Sequence, residues 1–196
     1  ALRVRCLPTA YDDRMQVSDF AQPFHADGGR VGVLFCHGFT GSPWSLREWA
    51  QVTADAGYRV SLPRLPGHGT SWQELNLTEW RDWYGAAEQA FLELRTQCDT
   101  VFIAGLSMGC ALALRIAEKY PDQVAGLALV NPAVMGYPKM RAVPVLHHFR
   151  ASAKSIGSDI AEPGIQELAY ARTPLKAANS MMRMWVDVRA CLDLVS

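Results

Sequence analysis

A serine between two glycines, where an apolar stretch meets an alanine-rich stretch, is the strongest chemical signal in this chain. The residues are Gly105-Leu106-Ser107-Met108-Gly109. The stretch before them is typical of a buried strand, and the stretch after them is typical of a helix. A serine in such a turn points its hydroxyl off the edge of a sheet, beside the amides of the next helix. Ser107 is therefore predicted to be a nucleophile for acyl transfer, with glycines where side chains would crowd the crossing.

A glycine-rich loop supplies a second part of the same chemistry. The apolar run 31–36 is followed by the loop 37–41, with the sequence HGFTG. Ser42 and Pro43 come next and predict the start of a helix. A loop between a strand and a helix can turn a backbone amide toward the serine. Acyl transfer needs such a donor because negative charge develops on the carbonyl oxygen under attack.

With both motifs present, the chain resembles the α/β-hydrolase superfamily, and in particular its bacterial carboxylesterases and monoacylglycerol lipases. The likeness covers about residues 20 to 135 and includes the loop 65–71, with the sequence LPGHGTS. The resemblance implies that Ser107 is the catalytic nucleophile and that the amides of Phe39 and Met108 form the oxyanion hole. It also implies that His37 and Gly38 support the loop and that His37 takes no part in proton transfer.

Size and composition favour one globular domain. Of the 196 residues, 49% are hydrophobic, which is enough for a large core. The 19 basic and 19 acidic residues give a net charge of zero, without a long run of either sign. This balance argues against nucleic acid as a partner and against a basic membrane-binding face. No apolar segment approaches the roughly 20 residues that a transmembrane helix needs.

The cysteines and histidines show no metal or redox pattern. Five cysteines are odd in number and widely spread: Cys6, Cys36, Cys98, Cys110 and Cys191. They are expected to pack as small apolar groups in a reducing, cytoplasmic compartment. The histidines are not arranged as metal ligands, and the sequence implies no cofactor.

Alternating strand and helix patterns predict an α/β fold, a mostly parallel sheet with helices on both faces. The expected strands are 31–36, 58–62, one beginning at Val101, and 124–130. A polar turn at 27–30 could close a hairpin before the first of them. Thr78 is predicted to cap the helix that follows it.

The segment 133–192 differs in character and is predicted to be an inserted lid. It lacks a clean strand and holds scattered prolines and a run of methionines. The methionines either form a surface that admits varied acyl chains or fill an irregular core. The predicted organisation is an α/β-hydrolase core at 1–132, the lid at 133–192 and the start of a return to the core at 193–196. The C-terminal strands of the fold are expected to be missing.

A base and an acid for Ser107 cannot be assigned from these residues. A serine hydroxyl needs a base, and the base needs an orienting acid. Hydrolases of this kind carry them in the order Ser, acid, His, but only His147 and His148 follow Ser107, and both fall in the predicted lid. The later carboxylates fit helix ends or surface positions: Asp122, Asp159, Asp187 and Asp193.

Two explanations of this gap stay open. Either the chain is a fragment whose acid and base lie beyond residue 196, which is the expectation we adopt, or it is a shortened, inactive relative. In the first case the strand at 124–130 has an open outer edge. That edge is expected to promote self-association of the isolated chain.

The leading functional prediction is a serine hydrolase of lipid metabolism that cleaves carboxylic esters, as a carboxylesterase or monoacylglycerol lipase, through an acyl-enzyme on Ser107. A thioesterase or acyltransferase on the same fold is the nearest alternative, because a fold does not fix a reaction. An inactive hydrolase-like domain that binds an apolar ligand or a partner is the alternative from another class.

Overall fold

The computed structural model describes residues 17, 19–155 and 169–195. Some sequence predictions fall outside these residues. They are the ones for Cys6, for Asp159, for residues 156–168 of the lid and for Ser196.

One five-stranded sheet has the strand order β1-β3-β2-β4-β5. The strands are β1 (Phe24–Ala26), β2 (Val31–Cys36), β3 (Arg59–Leu62), β4 (Thr100–Leu106) and β5 (Gly126–Val130). β2 pairs in parallel with both β3 and β4, and β4 pairs in parallel with β5, whereas β1 is antiparallel to β3. β2 and β4 are nearly all apolar because helices cover both faces of a parallel sheet. The predicted mostly parallel sheet is confirmed.

Helices cover the two faces unequally. A 3₁₀ turn (Pro43–Leu46) and helix α1 (Arg47–Asp55) pack over one face. After the short helix α2 (Trp72–Leu75), the long helices α3 (Trp80–Gln97) and α4 (Met108–Lys119) pack over the other. The larger core therefore lies on the α3 and α4 side of the sheet, beneath the turn that carries Ser107.

The predicted hairpin at 27–30 is wrong, because β1 pairs with β3 and not with β2. The turn crosses the connection between α1 and β3 at very close range. Gly29 N–H donates to the Gly57 carbonyl at 2.9 Å. A Cβ atom on Gly28 would lie 2.4 Å from the carbonyl carbon of Tyr58. The turn therefore passes across the end of β3, which lies between β1 and β2 in the sheet.

The predicted Thr78 cap is also wrong. Glu79 is the N-cap of α3 and forms a capping box with Asp82, whose carboxylate accepts from Glu79 N–H at 2.8 Å. The Thr78 hydroxyl accepts from the Trp83 indole N–H at 2.8 Å and donates to the Leu75 carbonyl. A capping box satisfies two helix-end donors at once, so it is favoured over a single threonine.

The lid segment, defined here as residues 133–155 and 169–192, contains two strands that the sequence pattern does not reveal. Its elements are a 3₁₀ helix (Pro138–Ala142), α5 (Val143–Leu146), β6 (Ser152–Lys154), β7 (Arg172–Pro174) and α6 (Leu175–Arg189). A 3₁₀ turn (Leu192–Leu194) follows, beginning at the last residue of the segment. β6 and β7 pair in antiparallel fashion. The expectation of no strand is therefore wrong, since three residues are too few to show alternation.

Helix α6 joins the lid segment to the large core. The Asn76 side-chain oxygen accepts from Lys176 N–H at 3.0 Å and from Ala177 N–H at 3.3 Å, which caps the first turn of α6. Met181 and Met184 are buried in that core. For these two methionines the core-filling interpretation is confirmed.

β5 lies at one end of the sheet, and among the described strands it pairs only with β4. Phe102 of β4 and Val130 of β5 are exposed. On the described residues the outer edge of β5 carries no partner, as the sequence predicts. Nothing in the structure tests the predicted self-association.

Candidate active site

Ser107 occupies a strained backbone turn between β4 and α4. Its φ of 54° and ψ of −115° lie in a region that residues other than glycine rarely adopt. Ser107 N–H donates to the Val130 carbonyl at 2.9 Å, and the Ser107 carbonyl accepts from Cys110 N–H at 3.0 Å and Ala133 N–H at 3.2 Å. These three bonds hold the turn in place. The residue is only partly buried, so the turn keeps the serine accessible.

The two flanking glycines are required by close backbone contacts. A Cβ atom on Gly109 would lie 1.9 Å from the Cys36 carbonyl oxygen. One on Gly105 would lie 2.7 Å from the Cys110 nitrogen. Side chains at these positions would push α4 away from β2 and β4. The glycine-serine-glycine spacing therefore reflects the crossing of α4 over the end of β2.

The loop 37–41 lies directly beside Ser107. A Cβ atom on Gly38 would lie 3.5 Å from the Ser107 Cβ atom. The loop turns sharply, with Gly41 N–H donating to the Gly38 carbonyl at 3.3 Å and Thr40 in a left-handed conformation with φ of 62°. Met108 N–H, at the first position of α4, has no acceptor within its own helix. The backbone of Gly38 thus lies beside Ser107, and the Met108 amide follows it in the chain at the start of α4.

His37 is fully buried, and both of its ring nitrogens are hydrogen-bonded inside the loops. Leu65 N–H donates to Nε2 at 3.2 Å. Nδ1 therefore carries the proton and donates to the Gly38 carbonyl at 3.1 Å. Burial lowers the pKa of His37 to about 4, so the ring stays neutral at physiological pH. In this state it connects the loop 37–41 to the loop 65–71.

His68 belongs to a buried aromatic group under the same loops. Its Nδ1 lies 3.1 Å from the Pro66 carbonyl, within its own loop. The ring centroid of His68 lies 5.0 Å from that of His37 and 5.5 Å from that of Trp83. Burial, followed by the neighbouring His37 ring, holds the pKa of His68 well below its usual value. Phe39 packs against Trp83 in the same group.

No histidine or carboxylate among the described residues hydrogen-bonds the Ser107 hydroxyl. His147 and His148 stack on each other, with ring centroids 3.9 Å apart. They line an open cavity of about 330 Å³ with Asn179, Arg183 and other lid residues. His25 contacts Ser61 on the far strand pair. The structure therefore gives Ser107 no base within the described part of the chain.

Tyr170 is a site neighbour that sequence reasoning missed. Its N–H donates to the Thr40 carbonyl at 3.3 Å. Its hydroxyl donates to the Gly67 carbonyl at 2.8 Å and accepts from Thr70 N–H at 3.0 Å. Tyr170 thus joins the two loops around the serine, through its backbone amide to the loop 37–41 and through its hydroxyl to the loop 65–71. The partners lie about 100 residues away in sequence, so no local pattern reveals the contact.

The described residues contain neither a metal-binding cluster nor a membrane-spanning helix. In residues 17, 19–155 and 169–195, no three His, Cys, Asp or Glu side chains are grouped to hold a metal ion. Within the same ranges, no helix combines the length and apolar character needed to cross a membrane.

Comparison with known proteins decides the family. A model of the alpha/beta hydrolase fold family matches residues 32–163. The chain belongs to the α/β-hydrolase family. It is 41% identical over 176 residues to the thermostable monoacylglycerol lipase of Bacillus sp. (strain H-257), covering 89% of this chain and 70% of that protein. It is 24% identical to the carboxylesterase of Bacillus subtilis (strain 168), over 89% of this chain and 71% of that one.

A solved structure gives the same relationship. The structure comes from work on LipS and LipT, two metagenome-derived lipolytic enzymes, and matches with a TM-score of 0.88 and 39% identity. The match covers 92% of this chain and 74% of the other. By homology, this α/β-hydrolase is an enzyme of the lipase and esterase type.

Proposed function

We propose that this α/β-hydrolase cleaves carboxylic esters, in particular monoacylglycerols and related medium-chain esters, through an acyl-enzyme on Ser107. The observation that carries the proposal is the strained turn that keeps Ser107 accessible with the Gly38 backbone beside it. Such strain persists only where the surrounding structure enforces it, and it concentrates at functional sites. The named activities of the similar proteins support the substrate class.

In the proposed mechanism the Ser107 oxygen attacks the ester carbonyl carbon and its proton passes to a base. The amides of Phe39 and Met108 donate to the oxygen that becomes negative. The carbon–oxygen bond to the alcohol then breaks, and the alcohol leaves with the proton. Water attacks the acyl-serine in the same way and releases the carboxylic acid. Base and acid come from residues outside those described, since no described residue is bonded to the hydroxyl.

His37 and Gly38 act as supports for this loop. Both ring nitrogens of His37 are hydrogen-bonded to the backbone, to the Gly38 carbonyl and to Leu65 N–H, and these bonds fix the loop 37–41. A side chain at Gly38 would enter the space next to Ser107. Neither residue transfers protons in the proposal.

We also propose that residues 133–192 form a lid over the serine. Phe39 packs against a small cluster from the lid segment that includes Val143 and Leu175. The Ser107 carbonyl bonds Ala133 N–H, the first amide of the segment. We further propose a reducing, cytoplasmic location, which the four free thiols of the described residues support.

Labelling with a fluorophosphonate probe tests the role of Ser107. The intact protein should be labelled and should release fatty acid from a monoacylglycerol, and Ser107→Ala should abolish both. Ser45→Ala, at an exposed serine just beyond the loop, is the matched control and should keep both. Equal labelling of wild type and Ser107→Ala would refute the nucleophile.

The alternatives give different results in the same assays. A thioesterase would prefer an acyl thioester over the matched oxygen ester. A hydrolase-like binding domain would bind monoacylglycerol without turnover and without labelling. The lack of a described base next to Ser107 is the observation that keeps this second alternative under test.

A further inference from the structure

An open cavity lies between α5 and α6 of the lid segment. Its volume of about 330 Å³ is at the lower end of the range for small-molecule sites. The described lining comes from α5, from the two residues that follow it and from α6: Pro144, His147, His148, Asn179, Met182, Arg183 and Val186. None of these described lining residues belongs to the loop 37–41 or to the turn 105–109. The cavity is therefore distinct from the site of Ser107.

Asn179 is a polar side chain without a polar partner in this cavity. Only 8% of the residue is exposed, and its side-chain amide has no hydrogen bond to a described residue. Burying an amide without a hydrogen bond is unfavourable, and such groups are exceptions in folded proteins. An apolar side chain would suit the position if packing alone decided it. The unpaired amide therefore points to a ligand that carries a polar group.

Positive groups line the same cavity. The rings of His147 and His148 stack with their centroids 3.9 Å apart, and Arg183 of α6 is exposed. A guanidinium offers paired N–H donors in one plane, and an imidazole ring adds further donors. Asp187 follows Arg183 by one turn of α6, but it is not among the described lining residues and interacts with Glu118 of α4. The donors of the cavity therefore suit an anion.

The pKa of His147 reflects this positive environment. Burial, then the His148 ring and the charge of Arg183, lowers that pKa, and Lys176 of α6 contributes further. A negative group in the cavity would act in the opposite direction and raise the pKa of His147. By linkage, such a group should bind more tightly as the pH falls and the histidines take up protons.

The rest of the lining is apolar, and this narrows the kind of anion. Pro144, Met182 and Val186 line the cavity beside the donors. A phosphate ion is hydrated on all sides and would leave these three side chains in water. A carboxylate with a short alkyl chain can pair with the donors and cover the apolar side chains at the same time. The lining therefore favours an aliphatic carboxylate over an inorganic oxyanion.

We propose that the cavity between α5 and α6 binds a small aliphatic carboxylate. The carboxylate accepts hydrogen bonds from the Arg183 guanidinium, the Asn179 amide and a histidine ring, and its alkyl chain lies against Met182 and Val186. Met182 also packs against the same small cluster of the lid segment as Phe39. Ester hydrolysis under the proposed function would release an acid of this class, but the binding does not depend on that reaction.

Titration of the intact protein with sodium hexanoate, followed by NMR of the histidine rings, tests the proposal. We expect saturable binding and a rise in the pKa of His147. Hexanamide has the same chain length without the charge, and it should bind at least about tenfold more weakly. Added NaCl should weaken hexanoate binding. Ser107→Ala should bind hexanoate as wild type does, so a failure of this site is distinct from a failure of the catalytic proposal.

Matched variants locate the site. Asn179→Leu keeps the branched side-chain skeleton without polar atoms, and it should weaken hexanoate binding about tenfold or more. Without ligand, its thermal unfolding temperature should stay the same or rise, because an unpaired amide is removed. Arg183→Gln should also weaken binding, whereas Arg81→Gln, at an exposed arginine on α3, should not.

Four results overturn the proposal. The first is the absence of saturable binding, or equal affinity for hexanoate and hexanamide. The second is phosphate binding as tight as hexanoate binding, which would assign the cavity to inorganic oxyanions. The third is hexanoate binding that survives both Asn179→Leu and Arg183→Gln, which would place the ligand elsewhere on the protein. The fourth is a lower unfolding temperature of Asn179→Leu with unchanged binding, which would make the amide a structural group.

Discussion

The turn around Ser107 and the lid segment are built on opposite principles. Around the serine, backbone packs on backbone, with glycines at the points where a single carbon atom would collide. In the lid segment, short elements are held by side chains that reach across the chain, such as Asn76 to α6 and Tyr170 to the loops. The structure around the serine can be predicted from the local spacing of residue types. The structure of the lid segment depends on contacts between residues that are far apart in the sequence.

The largest effect should come from a glycine substitution at the turn. Gly109→Ala would place a methyl group 1.9 Å from the Cys36 carbonyl oxygen, so α4 must shift away from β2. We expect a loss of at least about 3 kcal/mol of unfolding free energy and loss of esterase activity, since overpacking against backbone cannot relax cheaply. Chemical denaturation and an ester assay measure the two effects.

Gly85→Ala is the matched control, because a Cβ atom there meets nothing within 4 Å. Gly85 lies in the middle of α3 and is exposed. Alanine should stabilise the protein by up to about 1 kcal/mol because it favours the helix. If the two substitutions had similar effects, the close approach at Gly109 would not be the cause.

A smaller effect should appear on acidification. The pKa of His37 is about 4 in the folded protein against an ordinary value of 6.5, so the unfolded chain takes up a proton first as the pH falls. The neutral His37 ring therefore makes its full contribution to the unfolding free energy above about pH 6.5. This contribution is lost progressively as the pH falls to about 4, which lowers the unfolding free energy by about 3 kcal/mol. His68 acts in the same direction.

Urea unfolding between pH 4 and 7 measures this loss. His37→Gln keeps an acceptor for Leu65 N–H but cannot take up a proton, so its stability should fall less steeply over that range. His25→Gln changes an exposed histidine and serves as the control. A His37→Gln profile as steep as the wild-type profile contradicts the assignment.

The smallest effect should come from the lid segment. Asn76→Ala removes the acceptor for the first two amides of α6 and should cost about 1 kcal/mol. Hydrogen exchange should rise at the start of α6 and stay unchanged in β4. Asn76→Asp, which keeps an acceptor oxygen, should restore most of the protection. Faster exchange in β4 would show that the two regions are not separable.

The comparison also explains what the sequence reveals. Strand β2, the glycine spacing and the mostly parallel sheet follow from local pattern, because close packing restricts residue type at each position. The hairpin prediction is wrong and strands β6 and β7 are missed because a partner distant in sequence decides each of them. The Thr78 cap is wrong for a local reason, since Glu79 and Asp82 form a capping box instead. Ser107 and the loop 37–41 lie together, as their motifs predict. The contacts of Tyr170 depend on residues about 100 to 130 positions away, which no local pattern carries.

The carbonyl of Val130, at the end of β5, receives both Ser107 N–H and the Cys110 thiol. The orientation of the serine is thereby tied to the outermost strand of the sheet. Fraying of that strand would remove the hydrogen bond from Ser107 N–H that helps to hold the turn. A chain that covered this edge of the sheet would therefore steady the orientation of Ser107 without touching a substrate.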